Sequence, residues 1–302
     1  MERFRIGTRG SPLALTQARM VADALRAAHG WPEEAIETVV IRTTGDHVQD
    51  RPLAEIGGKA LWTKELDRAL LAREIDASVH SMKDVETHRP AAIAVVATLP
   101  RADVRDRLLG AAEVDAIPHG ATLGTSSPRR RAQLLRLRPD LRVVPIRGNV
   151  DTRLAKLAAG EVDATLLAAA GLDRLNRPDV GAAVPTDVML PAPAQGAVGV
   201  EIRADDARAR ELVAAIDHRE THLCVLTERA LLAGLGADCH SPVAALASLA
   251  GETLRLRASL IAQDGSDEVC GAVEGTGPEV GAELARDLLD RAPPAIRRLF
   301  AA

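Results

Sequence analysis

Two neighbouring side chains, Lys83 and Asp84, follow a short apolar run, ASVH, within the motif HSMKDV. The run has the length and composition of a buried strand, and functional groups in α/β sheets gather beyond the carboxyl ends of strands. A lysine at such a place can bind an anion, and an aspartate can act as a general acid or base. The alternative is a loop ion pair of little energetic consequence, and residue spacing alone leaves both interpretations open.

A block of arginines lies near the middle of the chain. Eight arginines and two aspartates fall between residues 129 and 153, a local charge of +6 in a chain whose formal net charge is −4. Binding of single-stranded nucleic acid favours aromatic side chains beside a basic groove, but the block contains no Phe, Trp or Tyr. A small polyanion therefore fits the block better than nucleic acid, although a solvated helix face would also explain Arg136 and Arg138.

Three cysteines lie far apart and form no CxxC pair, so the sequence predicts neither a disulfide framework nor a zinc site. Cys224 and Cys270 are expected to be buried on helix and strand faces. Cys239 instead falls in the polar segment GADCHSPV, where its thiolate can be reached as a nucleophile or as an attachment point. His218 and His222 lack the glutamate of a zincin motif and are expected to be surface residues.

Regular elements must position these candidates, and two segments of the chain share one design. FRIGTR predicts a strand, after which Ser11 can cap a helix that has Pro12 in its first turn. GTSSPRRR repeats the design, with Ser127 as the cap and Pro128 as the first helical residue. A helix N-terminus directs backbone N–H groups and the positive end of its dipole toward an anion, so both segments predict anion binding.

The order of predicted elements indicates an α/β protein with two lobes around a cleft, followed by a small α+β domain. The strand AVGVEI is predicted to return to the first lobe's sheet, which makes that lobe discontinuous. The predicted boundaries are residues 1–98 and 197–217 for lobe 1, 99–196 for lobe 2 and 218–302 for the C-terminal domain. Because the sequence shows neither a signal peptide nor a membrane span, we expect a cytoplasmic protein.

Several motifs, taken in order, resemble those of the porphobilinogen deaminase (hydroxymethylbilane synthase) family. They are TRGSPLALTQA, GGKALWTKELDRALL, HSMKDV, GTSSPRR, IRGNVDTRLAKL, AAAGLDRL, LPAPAQGAVGVE and the loop that carries Cys239. The combination of HSMKD, the arginine motifs and a downstream CxxP is highly specific, and the resemblance covers nearly the whole chain. It implies two lobes like those of periplasmic binding proteins, with the active cleft between them.

The resemblance implies an enzyme that joins four porphobilinogens head to tail, releases ammonia at each step and hydrolyses off a linear tetrapyrrole. Its primer is a dipyrromethane cofactor, which by resemblance is held through a thioether to Cys239, and the catalytic aspartate falls on Asp84. Cofactor binding is also implied for Ser81, Lys83, Thr125, Ser126, Ser127, Arg129 and Arg130. Binding of the substrate or the growing chain is implied for Arg9, Ser11, Arg147, Arg153, Arg174 and Gln195. No metal ion or nucleotide is expected.

These assignments explain the arginine block as a binding site for carboxylates. The primer and the four added units together carry 12 carboxylates, and the planar fork of arginine suits carboxylates while it stays charged. Loss of ammonia leaves an electron-poor azafulvenium, whose positive charge Asp84 can balance. Asp84 is also the candidate base for the proton that leaves after carbon–carbon bond formation. Arg131, Arg136 and Arg138 are expected to be solvated helix residues.

Four positions depart from the family's pattern. Glu55, in the loop before GGK, occupies a position at which the family usually has lysine. A negative charge there would repel the carboxylates of the pyrroles, so Glu55 is not included in the predicted site. Asp238 and Ala194 replace glycines in the cysteine loop and in LPAPAQG, and Asp238 is expected to raise the pKa of the neighbouring thiol. Glu86 stands where a proline commonly follows HSMKDV.

A non-catalytic carboxylate-binding protein of the same two-lobed shape explains the arginines and the helix N-termini equally well. It does not explain Cys239 or a third domain, and such proteins are usually exported. A nucleic-acid-binding module is a more distant alternative. The expected partners are porphobilinogen and, in transient contact, the next enzyme of the pathway. A monomer is expected, because no exposed apolar stripe indicates assembly.

Overall fold

The computed structural model describes residues 3–42 and 63–300. The chain divides into two compact units, of which unit 1 comprises Met1–Ala102 with Ala197–His222 and unit 2 comprises Asp103–Gly196 with Leu223–Ala302. The domain boundaries given above, which separate a C-terminal domain from lobe 2, stay a prediction.

Strands and helices alternate through most of the chain. The strands are β1 (Phe4–Arg9), β2 (Ile36–Ile41), β3 (Ala77–Ser81), β4 (Ile93–Thr98), β5 (Asp106–Leu109), β6 (Thr122–Gly124), β7 (Arg142–Val144), β8 (Ala164–Ala168), β9 (Ala182–Ala183), β10 (Val198–Arg203), β11 (Val243–Ala250), β12 (Thr253–Ile261) and β13 (Glu268–Gly275). The α-helices are α1 (Pro12–His29), α2 (Lys64–Leu71), α3 (Pro128–Leu137), α4 (Val150–Ala158), α5 (Ala169–Arg174), α6 (Ala207–Ala214), α7 (Arg219–Leu235), α8 (Val280–Arg291) and α9 (Pro294–Arg297).

Unit 1 is built on one five-stranded sheet in the order β2-β1-β3-β10-β4. β1 runs parallel to β2 and β3, whereas β10 runs antiparallel to β3 and β4. Helix α1 buries Ala18, Val21 and Leu25, which recur at helical spacing and pack in one cluster with Ile6 and Val79 of the sheet. Since the carboxyl ends of parallel strands meet at one edge, the residues that follow β1 and β3 lie on the same side of this sheet.

Unit 2 contains a second five-stranded sheet in the order β7-β6-β8-β5-β9. β6 is parallel to β7 and β8, and β5 is antiparallel to β8 and β9. Its core includes Leu108, Leu123 and Leu166 from three neighbouring strands, with Leu134 of α3 packed on them. The segments after β6 and β8 therefore leave the sheet at a common edge, as their counterparts do in unit 1.

The C-terminal part of unit 2 is an antiparallel three-stranded sheet in the order β11-β12-β13. The strands on either side of DGS pair from Ile261 with Glu268, as expected for a hairpin. Leu231 of α7 and Leu284 and Leu288 of α8 join the buried cluster on this sheet. The α/β class, with two sheet-bearing lobes and a small α+β part, is confirmed.

None of the helices in the described ranges is long and apolar enough to cross a membrane.

Candidate active site

The predicted catalytic carboxylate lies on a single turn of 3₁₀ helix directly after β3. Met82–Asp84 form this turn; Met82 is buried, Lys83 is half-buried and Asp84 is exposed. A side chain at Gly199, on the neighbouring strand β10, would overlap the Met82 sulfur, so the glycine makes room for this close approach. Burial of Met82 thus fixes the turn to the sheet while the Asp84 carboxylate stays accessible.

Three further predicted residues of unit 1 lie at the carboxyl edge of β1 and β3. Ser11 caps α1, where its hydroxyl accepts a hydrogen bond from the Ala14 amide at 3.3 Å. Ser81 accepts a hydrogen bond of 2.7 Å from the side-chain amide of Gln17, a buried residue that sequence reasoning did not single out. Arg9 is the last residue of β1 and is half-buried.

A largely buried ion cluster, with Arg89 at its centre, begins two residues after this turn at Glu86. The Arg89 guanidinium contacts Asp67 of α2, Glu86 of the loop and Glu201 of β10, at 2.5, 2.7 and 2.8 Å. Burial alone would raise the pKa of Glu201, but His80 and Arg89 outweigh it and hold that pKa at about 2. Glu86, which departs from the family's proline, also accepts a hydrogen bond of 2.8 Å from the Thr63 hydroxyl. The departure therefore has a structural partner in this chain.

The segment after β6 in unit 2 holds the predicted residues Thr125, Ser126 and Ser127. The Thr125 hydroxyl accepts a hydrogen bond of 3.2 Å from the Ser127 amide, and the Ser127 hydroxyl accepts one of 3.4 Å from the Arg130 amide. The exposed Ser126 donates its hydroxyl to the Ile146 carbonyl oxygen at 2.8 Å. Pro128 and the Ser127 cap begin α3 as the sequence predicted.

Arg129 and Arg130 are almost fully buried and share one counter-ion, Asp106 of β5. Their Nη2 atoms contact the two oxygens of that carboxylate at 2.8 Å each, and their Nη1 atoms donate to the carbonyl oxygens of Leu190 and Leu166. Gln195 donates its side-chain amide to the same carboxylate at 2.9 Å. Burial alone would raise the pKa of Asp106, but the two guanidiniums hold it well below its usual range. Sequence reasoning missed Asp106, since VRDRLL carries no motif that marks it.

The remaining predicted arginines of unit 2 lie beside two glycine turns. Arg153 of α4 donates its Nε to the Gly148 carbonyl oxygen at 3.0 Å, in the turn that follows the half-buried Arg147. Arg174 donates its Nη2 to the Gly196 carbonyl oxygen at 2.7 Å, and burial lowers the pKa of its guanidinium.

Cys239 is exposed and belongs to no disulfide, in a loop that follows α7. Asp238 shapes this loop, because its carboxylate accepts a hydrogen bond from the His240 amide at 2.9 Å and its amide donates to the Ser241 hydroxyl. Cys224 is buried as predicted, but Cys270 is exposed, so the prediction for Cys270 was wrong. Successive residues of a strand face opposite sides of the sheet, so Cys270 points away from the buried cluster that its neighbour Val269 joins.

The three arginines expected to be solvated differ in their exposure to solvent. Arg131 and Arg136 are exposed on α3, and Arg136 pairs with Glu268 at 2.7 Å. The prediction for Arg138 was wrong, because this residue lies just beyond the end of α3 and is half-buried. It pairs with Asp140 at 2.8 Å and donates to the Ile117 carbonyl oxygen, also at 2.8 Å.

Unsatisfied arginine donors in unit 2 fit an anionic ligand. Arg147 has a buried Nη1, and Arg129, Arg130 and Arg174 each have a buried Nε, for which the described residues supply no hydrogen-bond partner. Buried donors of this kind cost free energy unless a ligand or water satisfies them, and carboxylates match them in charge and geometry. Unpartnered Nε atoms also occur on Arg107 and Arg203, so an unsatisfied donor alone does not mark a binding site.

Comparison with known proteins shows which family this α/β chain resembles. Two family models match: "Porphobilinogen deaminase, dipyromethane cofactor binding domain" over residues 4–211 and "Porphobilinogen deaminase, C-terminal domain" over residues 222–290. Both describe domains of porphobilinogen deaminase, and the first is named for binding of the dipyrromethane cofactor.

Curated relatives agree over nearly the full length. The porphobilinogen deaminase of Sphingopyxis alaskensis is 59% identical over 99% of this chain and 96% of its own. That of Paracoccus denitrificans is 53% identical over 96% of this chain and 95% of its own. Among solved structures, an ancestral arginine-binding protein bound to arginine covers 72% of this chain and 91% of its own, at 14% identity and a TM-score of 0.41, a likeness too weak to bear on function.

The chain belongs to the porphobilinogen deaminase family. The resemblance seen in the sequence and the dipyrromethane cofactor are thereby confirmed, and the carboxylate-binding alternative is not favoured. The individual site residues stay predictions. The departure at Glu55 lies outside the described residues.

Proposed function

We propose that this chain is a cytoplasmic, monomeric transferase with hydroxymethylbilane synthase activity. It joins four porphobilinogens stepwise to a dipyrromethane primer, releases one ammonia for each, and hydrolyses off the linear tetrapyrrole. The observation that carries the proposal is the match of both family models, which together include the turn of Asp84 and the loop of Cys239.

The proposed role of unit 1 is to stabilise charge. The exposed Asp84 carboxylate accepts hydrogen bonds from pyrrole N–H groups and balances the positive charge that develops on the substrate as ammonia leaves. It then takes the proton that the new carbon–carbon bond displaces. Lys83, next to it, and Arg9 and Ser11, at the same edge of the sheet, bind acetate and propionate groups.

The proposed role of unit 2 is to hold the primer and the growing chain. Cys239 is the attachment point, and the cofactor supplies a free pyrrole α-carbon to which substrate is joined. The hydroxyls of Thr125, Ser126 and Ser127 and the two buried guanidiniums of α3 bind carboxylates of the primer. Arg147, Arg153, Arg174 and Gln195 bind carboxylates of the added units.

Intact mass tests this function and its attachment point. The chain produced in cells that make porphobilinogen is expected to exceed its sequence mass by two porphobilinogen units less two ammonias. Cys239→Ser should lack this addition, whereas Cys270→Ser, a substitution at another exposed cysteine, should keep it. A chain without the addition, which also gains none when porphobilinogen is supplied, would refute the proposed function. An addition that survives in Cys239→Ser would move the attachment to another residue.

A further inference from the structure

We infer that Asp106 is a positioning residue, which holds the side chains of Arg129, Arg130 and Gln195 for binding the pyrrole carboxylates. The inference rests on the proposed function of these three side chains and adds a residue to which no role has been assigned. Asp106 itself does not touch the substrate in this scheme and acts only through its three partners.

The geometry carries the first step. Three side chains with predicted binding roles, from α3 and from the turn before β10, converge on one carboxylate. Its Oδ2 accepts from Arg129 at 2.8 Å, and its Oδ1 accepts from Arg130 at 2.8 Å and from Gln195 at 2.9 Å. All four residues are at most 6% exposed, so the contacts are sheltered from water.

The second step concerns the freedom of the guanidiniums. Each one is held at two nitrogens: Nη2 on Asp106, and Nη1 on a backbone carbonyl oxygen, of Leu190 for Arg129 and of Leu166 for Arg130, at 2.7 and 2.8 Å. A long arginine side chain normally loses rotamer freedom when it binds a ligand, which weakens binding. Here Asp106 and the backbone have already removed that freedom, so a ligand carboxylate meets donors that are fixed in place.

The third step concerns charge. Two guanidiniums side by side and shielded from water repel each other, and burial lowers the pKa of Arg129. One carboxylate between them compensates one charge and leaves a net charge of +1 to attract an anionic ligand. A second buried carboxylate would cancel that attraction, and none at all would leave an uncompensated buried pair. The single carboxylate therefore lets the arginines stay ionised without abolishing their attraction for anions.

A purely structural ion pair is the competing explanation, and Asp140 provides a matched control. Asp140 also lies in unit 2, pairs with an arginine at 2.8 Å and accepts a hydrogen bond from the Gly120 amide at 2.9 Å. Its partner Arg138 has no predicted role in binding. If Asp106 only stabilised the fold, Asp106→Asn and Asp140→Asn would differ in the free energy of unfolding and not in the rate of primer attachment.

The experiment measures attachment of the primer and steady-state kinetics side by side. The full chain and its Asp106→Asn and Asp140→Asn variants are produced in cells that cannot make porphobilinogen. They are then incubated with porphobilinogen, and the gain in intact mass is followed over time.

Asparagine keeps the shape of the side chain and removes its charge and one acceptor. We expect primer attachment to slow about tenfold or more and KM for porphobilinogen to rise about tenfold in Asp106→Asn, in line with loss of one charge-assisted hydrogen bond. Asp140→Asn should match the unsubstituted chain.

The outcomes separate the two proposals. If the unsubstituted chain gains no mass, the proposed function itself fails. If it gains mass and folded Asp106→Asn gains it at the same rate with unchanged KM, the positioning role is refuted. Should Asp106→Asn not fold, Asp106→Glu keeps the charge but displaces the partners, and slowed attachment in that variant supports the role. Failure of both variants to fold would mark Asp106 as a requirement of the fold alone and overturn the inference.

Discussion

Removal of Arg89 provides a strong test of the ion cluster next to the turn that carries Asp84. Its guanidinium is the cation that contacts Asp67, Glu86 and Glu201, and its side chain is only 9% exposed. In Arg89→Met, the fully buried carboxylate of Glu201 loses two hydrogen bonds, of 2.8 and 2.9 Å, and water cannot replace them. Breaking a buried ion pair from one side costs about 3–5 kcal/mol. Because His80 still lies 3.1 Å from Glu201, we expect the lower end of that range.

The pH dependence of this loss has a definite sign. In the unsubstituted chain the pKa of Glu201 is depressed to about 2, so its contribution to stability is present above its usual pKa and is lost as the pH falls toward 2. In Arg89→Met, two of the causes that lower this pKa are gone, so Glu201 takes up a proton at a higher pH and the buried charge disappears. The difference in unfolding free energy between the two chains should therefore shrink between pH 7 and pH 4.

Urea unfolding at several pH values measures this difference. Arg5→Met is the control in the same unit, because its pair with Asp76 is more exposed and should contribute about 1 kcal/mol or less. The double variant Arg89→Met with Glu201→Gln should recover part of the lost stability, since it removes the stranded charge. A loss below about 1 kcal/mol for Arg89→Met, or a loss that does not change with pH, would refute this account of the cluster.

Substitutions at three further positions test separate features of the chain. Asp84→Asn should lower turnover about 100-fold or more while leaving the urea midpoint unchanged, because the side chain is exposed; near-normal turnover would remove its catalytic role. Arg147→Ala should slow elongation, seen by intact mass as accumulation of partly extended chains, and an unchanged distribution would contradict its role in binding. Ala194 adopts a φ of 61° and is 2% exposed, so Ala194→Val should cost more than about 2 kcal/mol. Ala194→Gly should stay within about 1 kcal/mol, since relief of strain offsets the lost methyl group; equal effects of the two would show that the backbone is not strained.

Local signals in the sequence predicted the elements that carry the site. The two Ser-Pro caps and the strand ASVH depend on residues close together in the chain, and each lies where the sequence predicted it. A residue such as Ser127 caps its helix through an amide only three positions away, so its role can be predicted without knowledge of the fold.

Contacts between distant segments could not be predicted in the same way. Asp106 meets Arg129 and Arg130 only because β5 lies beside β8 in the second sheet, and nothing in VRDRLL signals that neighbour. Glu86 looked like a simple loss of a proline, yet the fold brings it the hydroxyl of Thr63, 23 positions away, as a partner. Exposure of Cys270 likewise depends on which face of β13 packs against the buried cluster, to which Val269 belongs and Cys270 does not.

The arginine block shows how folding changes the meaning of a charge count. A local charge of +6 along the sequence suggests an open basic surface, but two carboxylates that lie elsewhere in the chain pair with arginines of the block. Asp106, from before the block, lies between two of its arginines, and Glu268, from far beyond it, pairs with a third. Asp140, inside the block, pairs with a fourth. Arg147 keeps a buried donor without a partner among the described residues, and so does Arg174 beyond the block's end. The fold thus concentrates the capacity to bind anions at a few fixed guanidiniums, which suits recognition of individual carboxylates on a short pyrrole chain better than diffuse attraction to a long polyanion.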